Sequence, residues 1–387
     1  MARTGRPGTG RPGPWRPGNA FTLLVDGGRY FPAMLEAIEA ASETVLLEMY
    51  LVESGRVASR FVAALGRAAA RGVDARLLLD GFGCRQLGRR DRQRLKDAGV
   101  RLAIYNPLRY GQWRRNLFRD HRKLLVVDGR CAFVGGAGIT DAFDPEAGGE
   151  RYWHDAMLRV EGPVVADWLA LFWANWRHWS SAPCPPPTAP AGAAGSARGR
   201  VVAGGTGRDP VLGSLTAHIR GADRRVRLAT AYFVPPMRLR RALRLAARTG
   251  ADVRLLLPGP HTDHPWVRHI GRRFYGRLLA NGVRIFEYQP RFLHLKAVVC
   301  DDWLSIGSAN LDRWNHRWSL EANQEVADRA AADALAETLE ADMAEATEIT
   351  LAAWQRRGWR QRLIEWWWGR LVVRLLERLS EGPPPPP

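Results

Sequence analysis

Apolar residues follow two patterns along this chain. Short runs rich in Leu, Val and Ile, bounded by Gly, Pro or Asp, predict buried strands: SETVLLEMYLV (42–52), GVDARLLLDG (72–81) and AGVRLAIYNP (98–107). Between them lie stretches with helical spacing: RYFPAMLEAIEAAS (29–42), RVASRFVAALGRAAARG (56–72) and RLRRALRLAARTG (238–250). The last two end on Gly, a usual helix C-cap. Helices alternating with apolar strands predict an α/β fold whose largely parallel or mixed sheet is covered on both faces.

The strand pattern occurs twice. RRVRLATAYFVPP (224–236), GADVRLLLPG (250–259) and NGVRIFEYQP (281–290) repeat the first three runs in order, with Tyr232 matching Tyr50. Such a duplication predicts two tandem α/β/α repeats with pseudo-twofold symmetry and a site at their interface. The copies differ before their last hairpin: LRYGQWRRNLFRD separates Pro107 from His121, whereas only RFL separates Pro290 from His294. The longer segment is aromatic and basic; it is either a solvated loop or part of the substrate's surroundings.

Composition sets the boundaries. At 387 residues the chain is long enough for about two domains. We expect a disordered basic N-terminus (1–18), a first domain (19–180), a Pro/Ala/Gly-rich linker or loop (181–205) and a second domain (206–350). A basic, Trp-rich amphipathic helix (351–382) and a proline tail (383–387) follow. The net charge of +18 predicts an anionic partner. Cys84, Cys131, Cys184 and Cys300 show no paired spacing and read as reduced thiols. No secretory signal and no membrane-spanning run of 18 uncharged apolar residues is expected.

The candidate chemistry lies in a twice-repeated H-x-K-x4-D: His121, Lys123 and Asp128, then His294, Lys296 and Asp301. On a strand, residues two apart share a face, so each copy offers an imidazole and an ammonium side by side. Two such pairs suit attack on a phosphodiester. Lysines neutralise the phosphate oxygens. One imidazole attacks phosphorus. The other protonates the leaving alkoxide and later deprotonates the incoming hydroxyl. This chemistry calls for no metal and no cofactor.

With its paired H-x-K-x4-D, and with LEMYLVES, GVDARLLLDGFG, YWHDAMLRVEGPVV, YFVPP and HLKAVVCDDWLSIGSANLD, the chain resembles the phospholipase D superfamily. It is most similar to bacterial cardiolipin synthases of the short type without transmembrane helices. The resemblance covers roughly residues 18–380. It implies two phospholipase D-like repeats, with His121 as nucleophile and His294 as general acid and base. Lys123 and Lys296 would hold the phosphate, and Asp128 and Asp301 would close the motif as structural residues. Downstream acids, Asp155 and Glu321, would orient the histidines. Ser308 and Asn310 would line the phosphate pocket, and Glu48 would be either a substrate-binding residue or the buried partner of an arginine. Two positions depart from the family pattern: Gly138 and Ser319 stand where an Asn is common.

The superfamily also contains nucleases, so the repeat alone does not choose the substrate. Sixteen Trp and the segment RRGWRQRLIEWWWGRLVVRLLERLS (356–380) favour an anionic phospholipid substrate and a peripheral membrane surface. The expected place is the cytoplasmic face of the bacterial inner membrane. No nucleic-acid module is recognisable, which disfavours nucleic acid as partner. Hydrolysis by the same site, as a phospholipase D or a metal-independent nuclease, is the alternative to cardiolipin synthesis.

Overall fold

The computed structural model describes residues 12–184, 191–205, 209–312, 318–359 and 363. The first half contributes strands β1 (Arg16–Val25), β2 (Thr44–Met49), β3 (Asp74–Asp80), β4 (Arg101–Tyr105), β5 (Arg119–Asp120), β6 (Lys123–Val127), β7 (Cys131–Gly135) and β8 (Ala156–Glu161). The second contributes β9 (Ala197–Gly204), β10 (Arg225–Ala229), β11 (Phe233–Val234), β12 (Asp252–Pro258), β13 (Arg284–Tyr288), β14 (Ala297–Cys300), β15 (Trp303–Gly307), β16 (Leu311–Asp312), β17 (Ser319–Ala327) and β18 (Ala346–Glu348).

All of these strands but β11 and β16 form one mixed sheet in the order β18-β13-β12-β10-β14-β15-β17-β9-β1-β8-β7-β6-β2-β3-β4, with β5 added beside β17; β11 and β16 pair with each other. Within each half the three apolar runs read from sequence are parallel: β2-β3-β4 and β10-β12-β13. The hairpin that follows each set is antiparallel to it, β6 against β2 and β14 against β10. The H-x-K elements therefore begin where β2 and β10 end, since Lys123 pairs with Met49 and Ala297 with Ala229.

Helix periodicity shows which face each helix buries. In Gly27–Ala40 the buried Tyr30, Phe31, Met34 and Ile38 make one stripe. In Arg56–Ala70 the stripe is Val57, Phe61, Ala64, Leu65 and Ala68. Both cover the outer face of the first half. Helices Val165–Trp179 and Arg329–Ala344 cover the other face, in a core built from both halves: Trp168, Phe172 and Trp176 share it with Leu293, Ile306, Leu335 and Leu339. The Trp168 indole N–H donates to Gln324 on β17 at 2.8 Å. The Trp-rich run of the first half is thus mainly core.

Two expected boundaries change. The N-terminal segment predicted to be disordered through residue 18 enters the sheet at Arg16; Gly13 N–H bonds Val201 O at 2.9 Å, and residues 1–11 lie outside the described part. The Pro/Ala/Gly-rich stretch ends as β9, which runs antiparallel to β17 and touches β1 at Arg16–Gly199. Its Arg-Gly-Arg-Val-Val spacing has room for a strand, and composition alone hid it. The basic Trp-rich segment lies outside the described residues beyond its start, where Leu351–Gln355 is helical and Trp359 is exposed.

Candidate active site

Each histidine stands just before its strand and is fixed by the opposite half. The His121 N–H donates to Leu320 O at 3.0 Å, continuing the β5–β17 pairing of Arg119 with Ser319 and Asp120 with Leu320. The His294 N–H donates to His154 O at 2.8 Å, beside an isolated bridge between His154 and Leu293. The chain that holds each imidazole's backbone is the chain that carries the other half's acid. The partnership therefore crosses the interface. His121 Nδ1 lies 2.9 Å from the Glu321 carboxylate, and His294 Nδ1 lies 2.6 Å from Asp155. Each carboxylate fixes Nδ1 as the protonated nitrogen of the neutral ring and leaves Nε2 for chemistry.

The two lysines are almost fully buried and fold back on their own histidines. Lys123 Nζ donates to His121 O at 2.6 Å. Lys296 Nζ donates to His294 O and lies 2.8 and 3.1 Å from the two ring nitrogens. Burial pushes the Lys123 ammonium down to about 7 and that of Lys296 down to about 8, each partly offset by the carboxylates. Burial also lowers His121, against the pull of Glu321. Burial, with Lys296 beside it, pushes His294 down to about 3. Four groups that would each become cationic are packed into a low-dielectric site, and each resists the others' charge. A phosphodiester anion entering among them relieves that repulsion.

The surroundings of the two rings differ. His121 has Tyr50 edge-on at 4.6 Å, and Lys123 lies 5.1 Å from the Tyr50 ring. His294 sits among Phe143, Trp153 and Phe292, with centroids 5.2, 5.3 and 5.6 Å away. Those three aromatics escaped the sequence reading because they come from separate elements, although Trp153 lies two residues before Asp155.

The motif aspartates are at the far ends of the hairpins. Asp128 and Asp301 both adopt φ 51° in the tight turns. Asp128 accepts N–H groups of Ser42, Glu43 and Thr44 at 2.8–2.9 Å. Asp301 accepts those of Asp223, Arg224 and Arg225 at 2.9–3.0 Å. Five residues of strand put Asp128 roughly 16 Å from Lys123. Burial would raise both carboxyls, but the three amides outweigh it and hold each below the usual range. They tie each hairpin to the entry of its parallel strands. Asp128→Ala is expected to lower unfolding free energy by about 1–3 kcal/mol through lost amide partners and left-handed strain. Thermal melting would show this, with kcat of the folded protein essentially unchanged.

The other predicted residues separate. Asn310 is buried, and among the described residues neither of its amide atoms has a hydrogen-bond partner, which suits a residue that meets a polar ligand. Ser308 is tied to the acid that serves His121: its hydroxyl donates to Glu321 at 2.5 Å and accepts from Ala322 N–H at 3.1 Å. Its counterpart Gly136 has no room for a side chain, since a Cβ would lie 2.4 Å from an Asp155 oxygen. Gly138, opposite Asn310, is likewise closed off, with its Cβ position 2.8 Å from Leu51 O. Glu48 takes the place expected of a buried partner of an arginine. It is fully buried, 2.8 Å from Arg122, and shares Asn175 with Asp120. A carboxylate sealed beneath the motif this way supports the backbone between His121 and Lys123.

A further link joins the halves. His154 is buried between Asp26, 2.7 Å from Nδ1, and Asp342, 2.9 Å from Nε2. Arg291 also reaches Asp26 at 2.8 Å. Only the neighbouring Asp155 was singled out from sequence.

Comparison with known proteins agrees with this geometry. The family described as cardiolipin synthase, PLD-like domain, matches residues 34–176 and 215–343, one segment in each half. The chain is 31% identical over 352 residues to the probable cardiolipin synthase YwiE of Bacillus subtilis, covering 89% of this chain and 70% of that protein. It is 36% identical over 340 residues to cardiolipin synthase B of Salmonella typhi, covering 84% and 80%. In fold it is similar to the phosphatidylserine synthase of Haemophilus influenzae, with a TM-score of 0.71 at 10% identity over 93% of this chain and 94% of that one. With two matched halves, one crossed His–carboxylate site and relatives of this kind over most of its length, the chain belongs to the cardiolipin synthase family of the phospholipase D superfamily.

Proposed function

We propose that this protein makes cardiolipin by moving a phosphatidyl group from one phospholipid to the hydroxyl of phosphatidylglycerol. The observation that carries the reading is the crossed site: two imidazoles, each on a carboxylate of the opposite half, with two buried lysines beside them. His121 Nε2 attacks the phosphorus of the donor. A P–N bond forms and the P–O bond to the headgroup breaks, while His294, which takes up a proton at Nε2 as the phosphodiester anion enters, gives that proton to the departing alkoxide. The acceptor hydroxyl then loses its proton to His294 and attacks phosphorus, which releases His121. Lys123 and Lys296 face the charge on the non-bridging oxygens in both steps, and Asn310 offers its free amide to the headgroup or phosphate. Exchange of one phosphodiester for another is nearly balanced in free energy, so no nucleotide is consumed.

The roles of the two histidines can also be exchanged. Lys296 lies against both ring nitrogens of His294 and holds that ring neutral more firmly than His121, as a waiting nucleophile requires. Both readings give the same products. We further propose that the protein works as a peripheral protein on the cytoplasmic face of the bacterial inner membrane. No helix among the described residues is long and apolar enough to cross a membrane.

The test is purified protein with vesicles of labelled phosphatidylglycerol in the presence of a chelator. Labelled cardiolipin with free glycerol is the expected result. Phosphatidic acid as the sole product would show hydrolysis instead. Untouched lipid with cleaved DNA would end the lipid reading.

A further inference from the structure

The loops that leave the sheet beside the two histidines carry apolar side chains into solvent. β2, β3 and β4 run parallel and β6 starts at the end of β2, so the segments after β3 and β4 emerge from the edge that bears His121. Those segments present Phe82, Leu108, Tyr110 and Trp113 at 40, 44, 107 and 57% exposure. In the second half the segments after β11 and β12 emerge near His294 and expose Met237 and Trp266. In each half these side chains thus stand on the strand-end edge where its histidine lies.

The largest loop is built to hold its tip outward. Asn106 donates to Arg115 O and Phe118 O at 2.7 and 2.8 Å, closing the base. Asn116 pairs with Arg109 through both main-chain groups at 3.0 and 2.8 Å. A hydrogen-bonded base below an apolar tip is an arrangement that water alone does not favour. The charges around the tip are of one sign. Arg114 lies 5.2 Å over the Trp113 ring, and Arg85 lies 4.1 Å over Phe82. Neither Gly81–Arg90 nor Leu108–Arg119 contains an acidic residue. An aromatic ring with arginine on its face, repeated on adjacent loops, suits a layer that is apolar inside and anionic at its surface.

We propose that these loops form a rim that docks on an anionic phospholipid bilayer, with Tyr110 and Trp113 entering the headgroup layer and Arg85, Arg109 and Arg114 meeting lipid phosphates. The rim sets the site's mouth against the membrane, so substrate enters without crossing water. The inference rests on the lipid reading given above.

The experiment uses the full chain and a Tyr110→Ser/Trp113→Ser double variant. Binding to vesicles of phosphatidylglycerol and phosphatidylcholine is measured by flotation, and turnover is measured on the same vesicles and on detergent-dispersed phosphatidylglycerol. The double variant is expected to bind vesicles about tenfold or more weakly, since two large amphipathic rings leave the interface. Its vesicle turnover should fall with binding, while its turnover in detergent matches the parent. Brominated lipid should quench Trp fluorescence in the parent, and this quenching should fall in a Trp113→Ser variant. Unchanged vesicle binding by the double variant, or unchanged quenching on loss of Trp113, overturns the rim. A parent protein that turns over lipid in neither form overturns the lipid reading instead.

Discussion

Replacing His121 with alanine is expected to lower phosphatidyl transfer by roughly 10⁴-fold or more while the protein stays folded. The size of the effect follows from the site's construction. Glu321, Ser308 and Lys123 have no chemistry to offer phosphorus without the imidazole between them and the substrate. Folding should survive because the segment is fixed by main-chain bonds, His121 N–H to Leu320 O and the β5–β17 pairs, which alanine keeps. His294→Ala should be comparably slow overall, yet the two variants differ in what they trap. With donor labelled in its phosphatidyl group, the variant that keeps the nucleophile accumulates label on protein, because the second step lacks its base. Label on His294→Ala and none on His121→Ala supports His121 as nucleophile, and the reverse pattern exchanges the roles. Labelling of neither, with transfer intact in both, would sink the covalent mechanism.

The second large effect concerns the bridge between the halves. His154→Ala is expected to cost about 3–5 kcal/mol, because it leaves Asp26 and Asp342 facing a buried gap without their shared cation. The same bridge gives a pH dependence whose sign can be worked out. Burial opposes the His154 charge, but hydrogen bonds to Asp26 and Asp342 outweigh it and raise the imidazole from 6.5 to about 9. Between those two values the folded protein holds a proton that the unfolded chain has released. Stability from this group is therefore complete below about pH 6.5 and is lost as pH rises through about 9, a fall of about 3 kcal/mol. The other titratable groups around the imidazole are Arg291, Tyr152 and Tyr288, and all three keep their ordinary charge in that window. Denaturant melts at pH 6 and pH 9.5 check the point. The parent should lose stability between them, and a His154→Gln variant, neutral at both, should lose much less. Equal losses would show that another group carries the dependence. Activity should follow, since His154 O holds the His294 backbone and Asp155 is the next residue.

Much of this fold was readable from local signals. The parallel runs around Leu46, Leu78 and Ile104, and their counterparts around Leu228, Leu256 and Ile285, needed only β-branched and Leu-rich spacing bounded by turn residues. The boundaries failed where composition misleads. Arg16–Asn19 and Ala197–Val202 look like linker, yet their strands join the two halves into one sheet, which no local propensity reveals. Of the site, the histidines, lysines and both orienting carboxylates were legible as residues. Glu48 was expected either to bind substrate or to pair with a buried arginine, with the arginine left open, and the pairing of Ser308 with Glu321 was not foreseen.

By itself the sequence determined the kind of chemistry and the architecture that delivers it: a duplicated α/β unit with an imidazole and a lysine in each copy. Repetition at a fixed spacing is a property of one dimension, so it survives without coordinates. Only the tertiary structure decided that the copies exchange their acids, Glu321 serving His121 and Asp155 serving His294. It also showed how the motif aspartates, expected to be structural, do their work: each braces a turn far from the histidines by accepting three amide N–H groups. The physical reason is the same in both cases. Spacing along the chain says which side chains can share a face within one strand. Partners more than a hundred residues apart meet only because β5 and β17, and His154 and Leu293, lie against one another across the interface between the halves.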